Sequence, residues 1–494
     1  MRNSIWIYSA VALFCTHVLR AQVSPDRSAQ TQSTPSRSGQ QQQSSRGPGS
    51  AASMLGAENP LIGSIPTGQA TPGEIELTLE ETLARGLKYN FGVTQGDLET
   101  RFERAGRLRT LSELLPTLNI RPSVTEQQVN LASFGFSGFP GIPSVVGPFS
   151  VYDARAYLSA PVLNFSALKS YRASAESINA AQYSYQDVRD QVTLIVTGLY
   201  LQAIAGAARV ETARAQVETS QTLFQRATDR KSAGTAPAID VLRSQVELQA
   251  QQQRAIAAEG DFDKQKVSLA RAIGLPLGQQ FRLVDAIPYT PLPPGIELPQ
   301  VLAHAYRDRK DYQAAEARVK AAELRKQAAL AERLPTAGVD ANYGVIGPQI
   351  NQTHGSFTVQ GFVNIPVFQG RRVEAQVLET DTELQRERAQ LENLRGRIDS
   401  EVRLAFLDLR TSARQVEVAR SNVDLARQQI EQSRDRFAAG VTNNLEVVQA
   451  QEAVAAANES LISSLYAFNV AKAEIARAQG EAERAITQYL KRNK

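Results

Sequence analysis

The chain repeats one pattern of residues at a constant spacing of 206 positions. Gly234 is matched 206 positions later by Gly440, and residues 270–274 (ARAIG) are matched by residues 476–480 (ARAQG). Self-similarity at a fixed spacing indicates an internal duplication. The chain is therefore expected to fold as two copies of one structural unit, and every other pattern is interpreted against that duplication.

Gly234 and Gly440 each lie between a long helical pattern and a shorter one. The long patterns end near residues 231 and 437, and each covers roughly 70 residues, or about 100 Å at ~1.5 Å per residue. The shorter patterns, residues 238–273 and 444–479, are about half as long. Glycine permits the left-handed conformation that closes a helix. The sequence therefore predicts two long α-hairpins with these glycines at their tips.

Apolar residues recur every seven positions in all four of these helices. The shorter helices carry Val241, Leu248, Ala255, Phe262 and Leu269, answered by Val447, Val454, Leu461, Phe468 and Ile475; the long ones carry Ala203, Val210, Val217 and Phe224, answered by Leu409, Val416, Val423 and Ile430. A seven-residue repeat of this length requires helices that supercoil around one another. Taken alone, the heptads are typical of a soluble coiled-coil rod.

Each copy also contains two segments in which apolar and polar residues alternate. The apolar sets are Leu118, Ile120, Pro122 and Val124; Tyr152, Ala154, Ala156, Leu158 and Ala160; Ala337, Val339, Ala341 and Tyr343; and Phe357, Val359, Gly361, Val363 and Ile365. A slip of one residue would turn an apolar set to the opposite face, so agreement of phase in both copies supports the duplication. We expect four short antiparallel strands, with loops at residues 134–149 and 344–355.

A helical pattern precedes each pair of strands. It covers residues 77–113, with an interruption near Asn90, and residues 298–332. Both patterns stop at a Leu-Pro step, at Pro116 and Pro335, because proline disfavours α geometry in the residue before it. The shorter helix after each tip glycine returns along only half of the long helix. The helices before the strands are expected to cover the other half.

The ends of the chain differ from the repeats. Residues 1–21 have the features of a secretory signal peptide, with Arg2 ahead of an apolar run that is shorter than the ~20 residues of a membrane span. Residues 22–73 are rich in Ser, Gln and Pro and are expected to form a flexible leader. The remaining predicted segments are a first repeat (74–274), a Pro-rich linker (275–298), a second repeat (299–482) and a short basic tail (483–494). Cys15, the only cysteine, lies in the predicted signal peptide.

Composition and motifs favour neither nucleic-acid binding nor catalysis. The formal net charge of +4 includes Arg2 and Arg20, so there is no basic excess for a nucleic-acid partner. No phosphate-binding loop, HExxH or GxSxG motif is present. His304 and His354 have no second ligand at helical spacing. We expect no catalytic residue, no cofactor and no metal.

The predicted strands narrow the choice among the remaining classes of protein. In an exported chain, strands that are apolar on one face and polar on the other are typical of an outer-membrane barrel. Four strands cannot close, since the smallest such barrels use about eight, and open edges do not occur in hydrocarbon. Several chains are therefore needed, giving eight strands from two or twelve from three. The predicted lipid-facing residues include Ala156, Leu158, Val359 and Val363. The alternative is a periplasmic coiled-coil scaffold or adaptor protein, which needs no lipid-facing strands.

From residue 77 to residue 480 the chain resembles the outer-membrane efflux family, the TolC-like outer membrane factors. The resemblance rests on the helix-strand-strand-helix-helix order found twice, on the Leu-Pro entries to the strands, and on the exits Pro161-Val162-Leu163-Asn164 and Pro366-Val367-Phe368-Gln369-Gly370. A tip glycine followed by Asp240-Val241-Leu242 or Glu446-Val447-Val448 completes it. Phe165-Ser166 stands where the family usually has Gly-Gly.

The resemblance implies a mostly α-helical homotrimer with a twelve-stranded outer-membrane β-barrel that continues into a periplasmic α-helical tunnel. Such proteins are exit ducts for small molecules or secreted proteins, and their tips dock a periplasmic adaptor that links them to an inner-membrane pump. The implied docking residues are Gly234, Asp240, Gly440 and Glu446.

The resemblance also implies a closed periplasmic iris lined by acidic residues, and Glu431 occupies such a position. Ion pairs among Arg226, Asp229, Glu431 and Asp435 are expected to hold it shut. Structural alternatives exist for these residues, because glycines cap helices, Asp240 and Glu446 favour a first helical turn, and charged runs are usually solvated faces.

Overall fold

The computed structural model describes residues 60–135, 141, 143–276, 278–291, 297–442 and 444–485. The predicted signal peptide, residues 22–59 of the predicted leader and residues 486–494 of the predicted tail lie outside this part of the chain. Those predictions therefore stay predictions.

The elements occur in the same order in both copies. The first copy consists of β1 (Ile75–Leu77), α1 (Leu79–Tyr89), α2 (Phe91–Ser112), β2 (Thr117–Asn130), β3 (Val145–Leu163), α3 (Phe165–Ser232) and α4 (Ala238–Ala272). The second consists of β4 (Phe281–Leu283), α5 (Leu298–Asp308), α6 (Lys310–Ala331), β5 (Thr336–Gly347), β6 (His354–Asn364), α7 (Arg372–Ala438) and α8 (Asn444–Ala478). The duplicated helix-strand-strand-helix-helix unit is confirmed.

The two long hairpins dominate the molecule. Helix α3 has 68 residues and α7 has 67, while the returning helices α4 and α8 have 35 each. The predicted heptad positions lie in the seams: Val210, Leu248, Leu269, Leu409 and Val416 are all buried. The apolar repeat therefore packs each returning helix against its long partner.

The helices pack side by side in a row, and the row near the strands is made of different helices from the row near the tips. Nearer the strands the order of packed neighbours is α2, α3, α6, α7, and toward the tips it is α4, α3, α8, α7. The helices before the strands thus cover the upper halves of α3 and α7, and the returning helices cover the lower halves, as predicted. Helix α7 lies at one end of the row throughout, and α2 or α4 lies at the other.

A break interrupts the helix before the strands in each copy. In the first copy the predicted break falls at Asn90, whose side-chain oxygen accepts the Gly92 N–H at 2.8 Å and so caps α2. In the second copy the predicted helix over residues 298–332 is divided at Arg309, a break that was not predicted from the sequence. The Arg309 guanidinium is buried and forms ion pairs with Asp311 at 2.7 Å and Glu401 at 2.8 Å.

Several boundaries differ from the sequence prediction. Leu77 belongs to β1, which pairs in parallel with β4 inside the predicted Pro-rich linker. Part of the predicted flexible leader is ordered, since Ile62 is buried and the Asn90 amide donates to the Leu61 carbonyl at 2.6 Å. The first strand pair is longer than expected, because β3 begins at Val145 within the predicted loop. Contacts with residues distant in sequence hold these segments in place.

Within the described residues, α3 is the one helix whose length and composition would permit it to cross a membrane. However, 78% of its most apolar stretch is buried inside the protein. Val192, Val196 and Tyr200 belong to a core that includes Leu83 of α1 and Leu269 of α4. The apolar character of α3 is thus explained by packing against other helices.

Candidate functional site

Four strands form one antiparallel sheet in the order β2-β3-β5-β6. Its register places the predicted apolar residues of all four strands directly opposite one another. One row consists of Leu118, Leu158, Ala341 and Val359, and the next of Ile120, Ala156, Tyr343 and Phe357. The alternation read in each strand separately therefore produces a single continuous apolar face.

This apolar face is not covered by the rest of the chain. Ile120 is 76% exposed, Phe357 73% and Val359 67%, and Leu158 and Val363 are also exposed. A contiguous exposed apolar surface in a folded protein marks an interaction site or a membrane contact. Its position on alternating strand residues is that of a lipid-facing barrel wall.

The opposite face of the same sheet is polar. It carries Arg121, Arg155 and Tyr157, and the Arg155 Nε donates to Asp153 Oδ1 at 2.7 Å. The Arg121 guanidinium carbon lies 5.3 Å from the centre of the Tyr157 ring. Polar and charged side chains on this face favour contact with water, so the sheet has one apolar face and one polar face.

Both edges of the sheet are open. Strands β2 and β6 each have one neighbour within the described chain, so each presents a row of unpaired backbone groups. Such edges are not tolerated in the hydrocarbon of a membrane. In a membrane, this sheet would therefore need further strands to close it.

The two hairpin tips share one backbone geometry. Gly234 has φ 72° and Gly440 has φ 74°, the left-handed conformation that the sequence predicted. After each glycine, the next residue donates its N–H back into the long helix, Thr235 to Arg230 at 2.9 Å and Val441 to Arg436 at 3.0 Å. These bonds satisfy carbonyls that the helix end would otherwise leave unpaired.

Asp240 and Glu446 both occupy the first turn of a returning helix, as predicted. Their surroundings differ. The Glu446 carboxylate accepts the Thr442 hydroxyl and lies 3.6 Å from the Arg436 Nε, so it links α8 to the end of α7. Either carboxylate favours its helix through the helix dipole.

An apolar groove of about 390 Å³ lies between α4 and α8 beside the tips. It is lined by Ile239, Leu242, Arg243, Val246, Glu247, Leu445 and Val448. Leu242 is 57% exposed and Val246 66%. This groove was not predicted from the sequence, although the spacing of Ile239, Leu242 and Val246 at i, i+3 and i+7 marks one face of a helix.

The four predicted gate residues lie near the ends of α3 and α7 and are exposed. Within the described chain, Arg226, Asp229, Glu431 and Asp435 form no ion pair with one another, and Asp229 instead accepts the Gln225 amide at 3.0 Å. The helix ends are joined by the Arg230 guanidinium, which lies 4.7 Å from the centre of the Phe437 ring. Pairing among the four residues would have to occur between chains, and their gating role stays a prediction.

The described residues contain no group of three or more His, Cys, Asp or Glu side chains arranged to hold a metal ion. His304 lies on α5 and His354 begins β6. The structure therefore gives neither histidine a metal-binding neighbourhood in this part of the chain.

A family model described as outer membrane efflux protein matches residues 105–275 and 301–481, which is well over half of the chain. The chain belongs to the outer membrane efflux protein family. The two matched segments correspond to the two structural copies. The resemblance noted from the motifs is confirmed.

Individual relatives agree with this family. The chain is 22% identical to the alkaline protease secretion protein AprF of Pseudomonas aeruginosa, over 66% of this chain and 69% of that protein. It is 24% identical to the pyoverdine export outer membrane protein OpmQ of the same species, over 78% and 81%. The outer membrane channel CmeC of Campylobacter jejuni has the same fold, with a TM-score of 0.71, 15% identity, and coverage of 82% and 86%.

The protein is an outer-membrane exit duct that extends into the periplasm. The sheet is its membrane part, and the long hairpins are its periplasmic part. The alternative of a scaffold or adaptor without a membrane barrel does not account for the sheet or for the family. Its relatives are transport channels, which points to a protein that conducts rather than catalyses.

Proposed function

We propose that three copies of this chain close into one duct with a twelve-stranded barrel. The observation that carries the proposal is that the open edges of the sheet coincide with the ends of the helix row. Strand β2 continues from α2, and β6 leads into α7. Each copy therefore has one edge formed by β2, α2 and α4 and another formed by β6 and α7.

Exposed apolar residues follow these two edges. Helix α7 carries Leu404, Leu407, Val418 and Leu425, α4 carries Ile256 and Val267, and α2 carries Leu98 and Phe102. The β6–α7 edge of one copy would cover the β2–α2–α4 edge of the next. A contact between two different surfaces generates either a ring or a filament, and the open strand edges demand a ring.

Three copies suit a duct better than two. An eight-stranded barrel, from two copies, is just wide enough to be filled by its own side chains. Twelve strands leave a wider interior, and the polar face would line it with water. The duct would conduct passively the small molecules or secreted protein that its partners deliver.

The mass of the purified particle tests this assembly. Native mass spectrometry in detergent should give three times the chain mass. Val418→Glu combined with Leu425→Glu should weaken the trimer, because it places charge on the covered face of α7. Gln428→Glu adds one negative charge at an exposed polar position of α7 and should leave the trimer intact, whereas Val418→Glu or Leu425→Glu alone, which adds one charge to the covered face, should weaken it. A dimeric or monomeric wild-type particle would contradict the proposal.

We propose further that the hairpin tips, with Gly234, Asp240, Gly440 and Glu446, dock a periplasmic adaptor and through it an inner-membrane pump. The support is the apolar groove between α4 and α8, at the end of the hairpins farthest from the sheet. An amphipathic helix placing apolar residues at i, i+3 and i+7 would fill such a groove. The sequence has no phosphate-binding loop, so the energy for transport would come from the pump.

Crosslinking at the tips tests this docking. A photo-reactive residue at Ser232 or Thr442 should capture an adaptor through the tip of that adaptor's own helical hairpin, identified by peptide mass spectrometry. Leu242→Glu should abolish capture, since it charges the groove, whereas Gln245→Glu on the same helix should not. Equal capture by both variants would exclude the groove.

We also propose that Glu431, Asp435, Arg226 and Asp229 close the periplasmic end when three copies meet. All four are exposed and unpaired with one another in a single chain, so they are free to pair between copies. Each exposed ion pair would contribute only about 0 to 1 kcal/mol. Closure would therefore rest on several weak pairs and would be easily reversed.

A further inference from the structure

We infer that Arg121 forms a ring of positive charge inside the barrel that makes this segment of the duct prefer anionic solutes. The inference rests on the closed barrel proposed above. Arg121 lies on β2 between Ile120 and Pro122, on the polar face of the sheet, and its direct neighbour across the strands is Arg155 of β3. Two guanidinium groups thus occupy one row of that face.

Arg155 does not contribute net charge to the row. Its guanidinium is paired with both oxygens of the Asp153 carboxylate, through the 2.7 Å bond from Nε and a second bond from Nη2. Both side chains are largely shielded from solvent. Like charges directly opposite each other on two strands are unfavourable, and Asp153 relieves that repulsion. One uncompensated positive charge per chain remains.

That remaining charge is Arg121. It is exposed, and within the described residues no carboxylate lies within ion-pair distance of it. Its contact is the Tyr157 ring, 5.3 Å away, and the same ring lies 5.7 Å from the Arg155 guanidinium. A cation held against an aromatic ring keeps its charge. Tyr157 therefore positions Arg121 along the wall while leaving its charge directed at the water.

Apart from Asp153, which is paired with Arg155, the acidic residue nearest to Arg121 in register along the polar face is too far away to cancel this ring. Asp340 of β5 is exposed and lies in the row of Ser159 and Gln360, two rows from Arg121 toward the helices. Two rows correspond to four residues, or about 13 Å along a strand. This exceeds the Debye length of about 8 Å at physiological salt. A solute therefore meets an acidic ring near the helices and a separate basic ring deeper in the barrel.

Rings of arginine or lysine select anions in other pores because they lower the energy of a passing negative charge. The chemical class favoured here is a solute with carboxylate, sulfate or phosphate groups. Chloride is the simplest probe of the same property. Replacing three screened unit charges should alter the preference on the order of twofold.

The experiment compares reversal potentials in planar bilayers under a potassium chloride gradient. Arg121→Gln should lower the ratio of chloride to potassium permeability about twofold, and Arg121→Lys, which keeps the charge, should leave it at the wild-type value. Asp153→Asn should raise the ratio, because it frees the charge of Arg155.

The possible results distinguish a failure of the proposed Arg121 ring from a failure of the proposed closed barrel. Wild-type currents with an unchanged ratio in Arg121→Gln would overturn the ring while leaving the barrel standing. A loss of preference in Arg121→Lys equal to that in Arg121→Gln would also overturn it, since the effect would then not depend on charge. If the wild type conducts too little because its periplasmic end is closed, the same comparison is made with Glu431→Ala and Asp435→Ala added to every variant. A protein that forms no conducting channel with these two changes would overturn the closed barrel, and the ring with it.

Discussion

Gly480 lies directly against the backbone of Arg309: a β carbon built on Gly480 would come 2.7 Å from the Arg309 nitrogen. Gly480 also has φ +80°, where other residues are strained. The matching glycine of the first copy, Gly274, lies against the side chain of Tyr89, whose Cβ would be 2.7 Å from a β carbon built on the glycine. In each copy, the end of the returning helix is thus seated on the break in the helix that precedes the strands.

Gly480→Ala should therefore destabilise the protein. The added carbon would meet backbone atoms, which cannot move aside as a side chain does, and the positive φ costs a further 1 to 2 kcal/mol or so. Thermal unfolding of the purified protein should show a lower midpoint. Gly260→Ala is the control, because a β carbon there meets nothing within 4 Å, and it should be neutral or stabilise the helix by about 0.5 to 1 kcal/mol.

Membrane assembly should distinguish the two faces of the sheet. Val359→Asp, Val363→Asp and Leu158→Asp each place a charge on the face assigned to lipid and should reduce the amount of oligomer in the outer membrane. Thr358→Asp changes the neighbouring residue of the same strand on the aqueous face and should assemble normally. Membrane fractionation followed by electrophoresis measures the amount of oligomer that each variant forms in the outer membrane. If Val359→Asp and Thr358→Asp assembled equally well, the assignment of the Val359 face to lipid and of the Thr358 face to water would be wrong.

The gate proposal predicts a change in conductance. Replacing Glu431 and Asp435 together by Ala should raise the single-channel conductance in planar bilayers, because it removes the acidic partners of the proposed ion pairs between copies. Replacing Glu417 and Asp424 by Ala removes two exposed carboxylates farther from the tip of α7 and should have little effect. An unaltered conductance in the first variant would exclude these residues from the gate.

Asp190 predicts a dependence of stability on pH. Burial raises the pKa of this carboxyl to about 6, and the charge of Asp187 adds to the rise, although the carboxyl accepts the Glu483 N–H at 3.2 Å and lies near Arg477. The unfolded value is about 3.9. The folded state therefore binds the proton more tightly, so the contribution of Asp190 to stability is lost as the pH rises through about 6.

The measurement is the difference in stability between the wild type and Asp190→Asn at pH 7 and at pH 5. The wild type should gain on the order of 1 kcal/mol relative to the variant as the pH falls over this range. Because the other titrating groups are common to both proteins, the difference isolates Asp190. Parallel pH profiles would show that its pKa is not raised.

The sequence predicted those features that depend on periodicity. Seven-residue spacing gave the hairpin seams, and Val210 and Leu409 are buried as expected. Alternation gave the sheet faces, because the side chains of a strand point to opposite sides in strict turn. Once the strands pair in phase, Leu158 lies directly opposite Leu118 and the two apolar sets share one face. Local chemistry also sufficed for the tips, where only a glycine suits the left-handed cap.

Features formed by residues distant in sequence were missed. The pairing of β1 with β4 joins segments about 200 residues apart, and three-residue strands carry no periodic signal. The break at Arg309 depends on Asp311 and Glu401 around a buried guanidinium, and nothing adjacent to Arg309 indicates that it is buried. The groove at the tips arises where α4 approaches α8, so neither helix alone reveals it.

The sequence by itself determined the duplication, the hairpins, the apolar rows of the sheet and the family, because each follows from repeated local spacing. Only the tertiary structure decided which charges are neutralised and which are free. It pairs Arg155 with Asp153 and leaves Arg121 exposed, and within the described residues it forms no ion pair among the four proposed gate residues. The physical reason is that electrostatic interactions depend on distance in space, and the fold sets those distances.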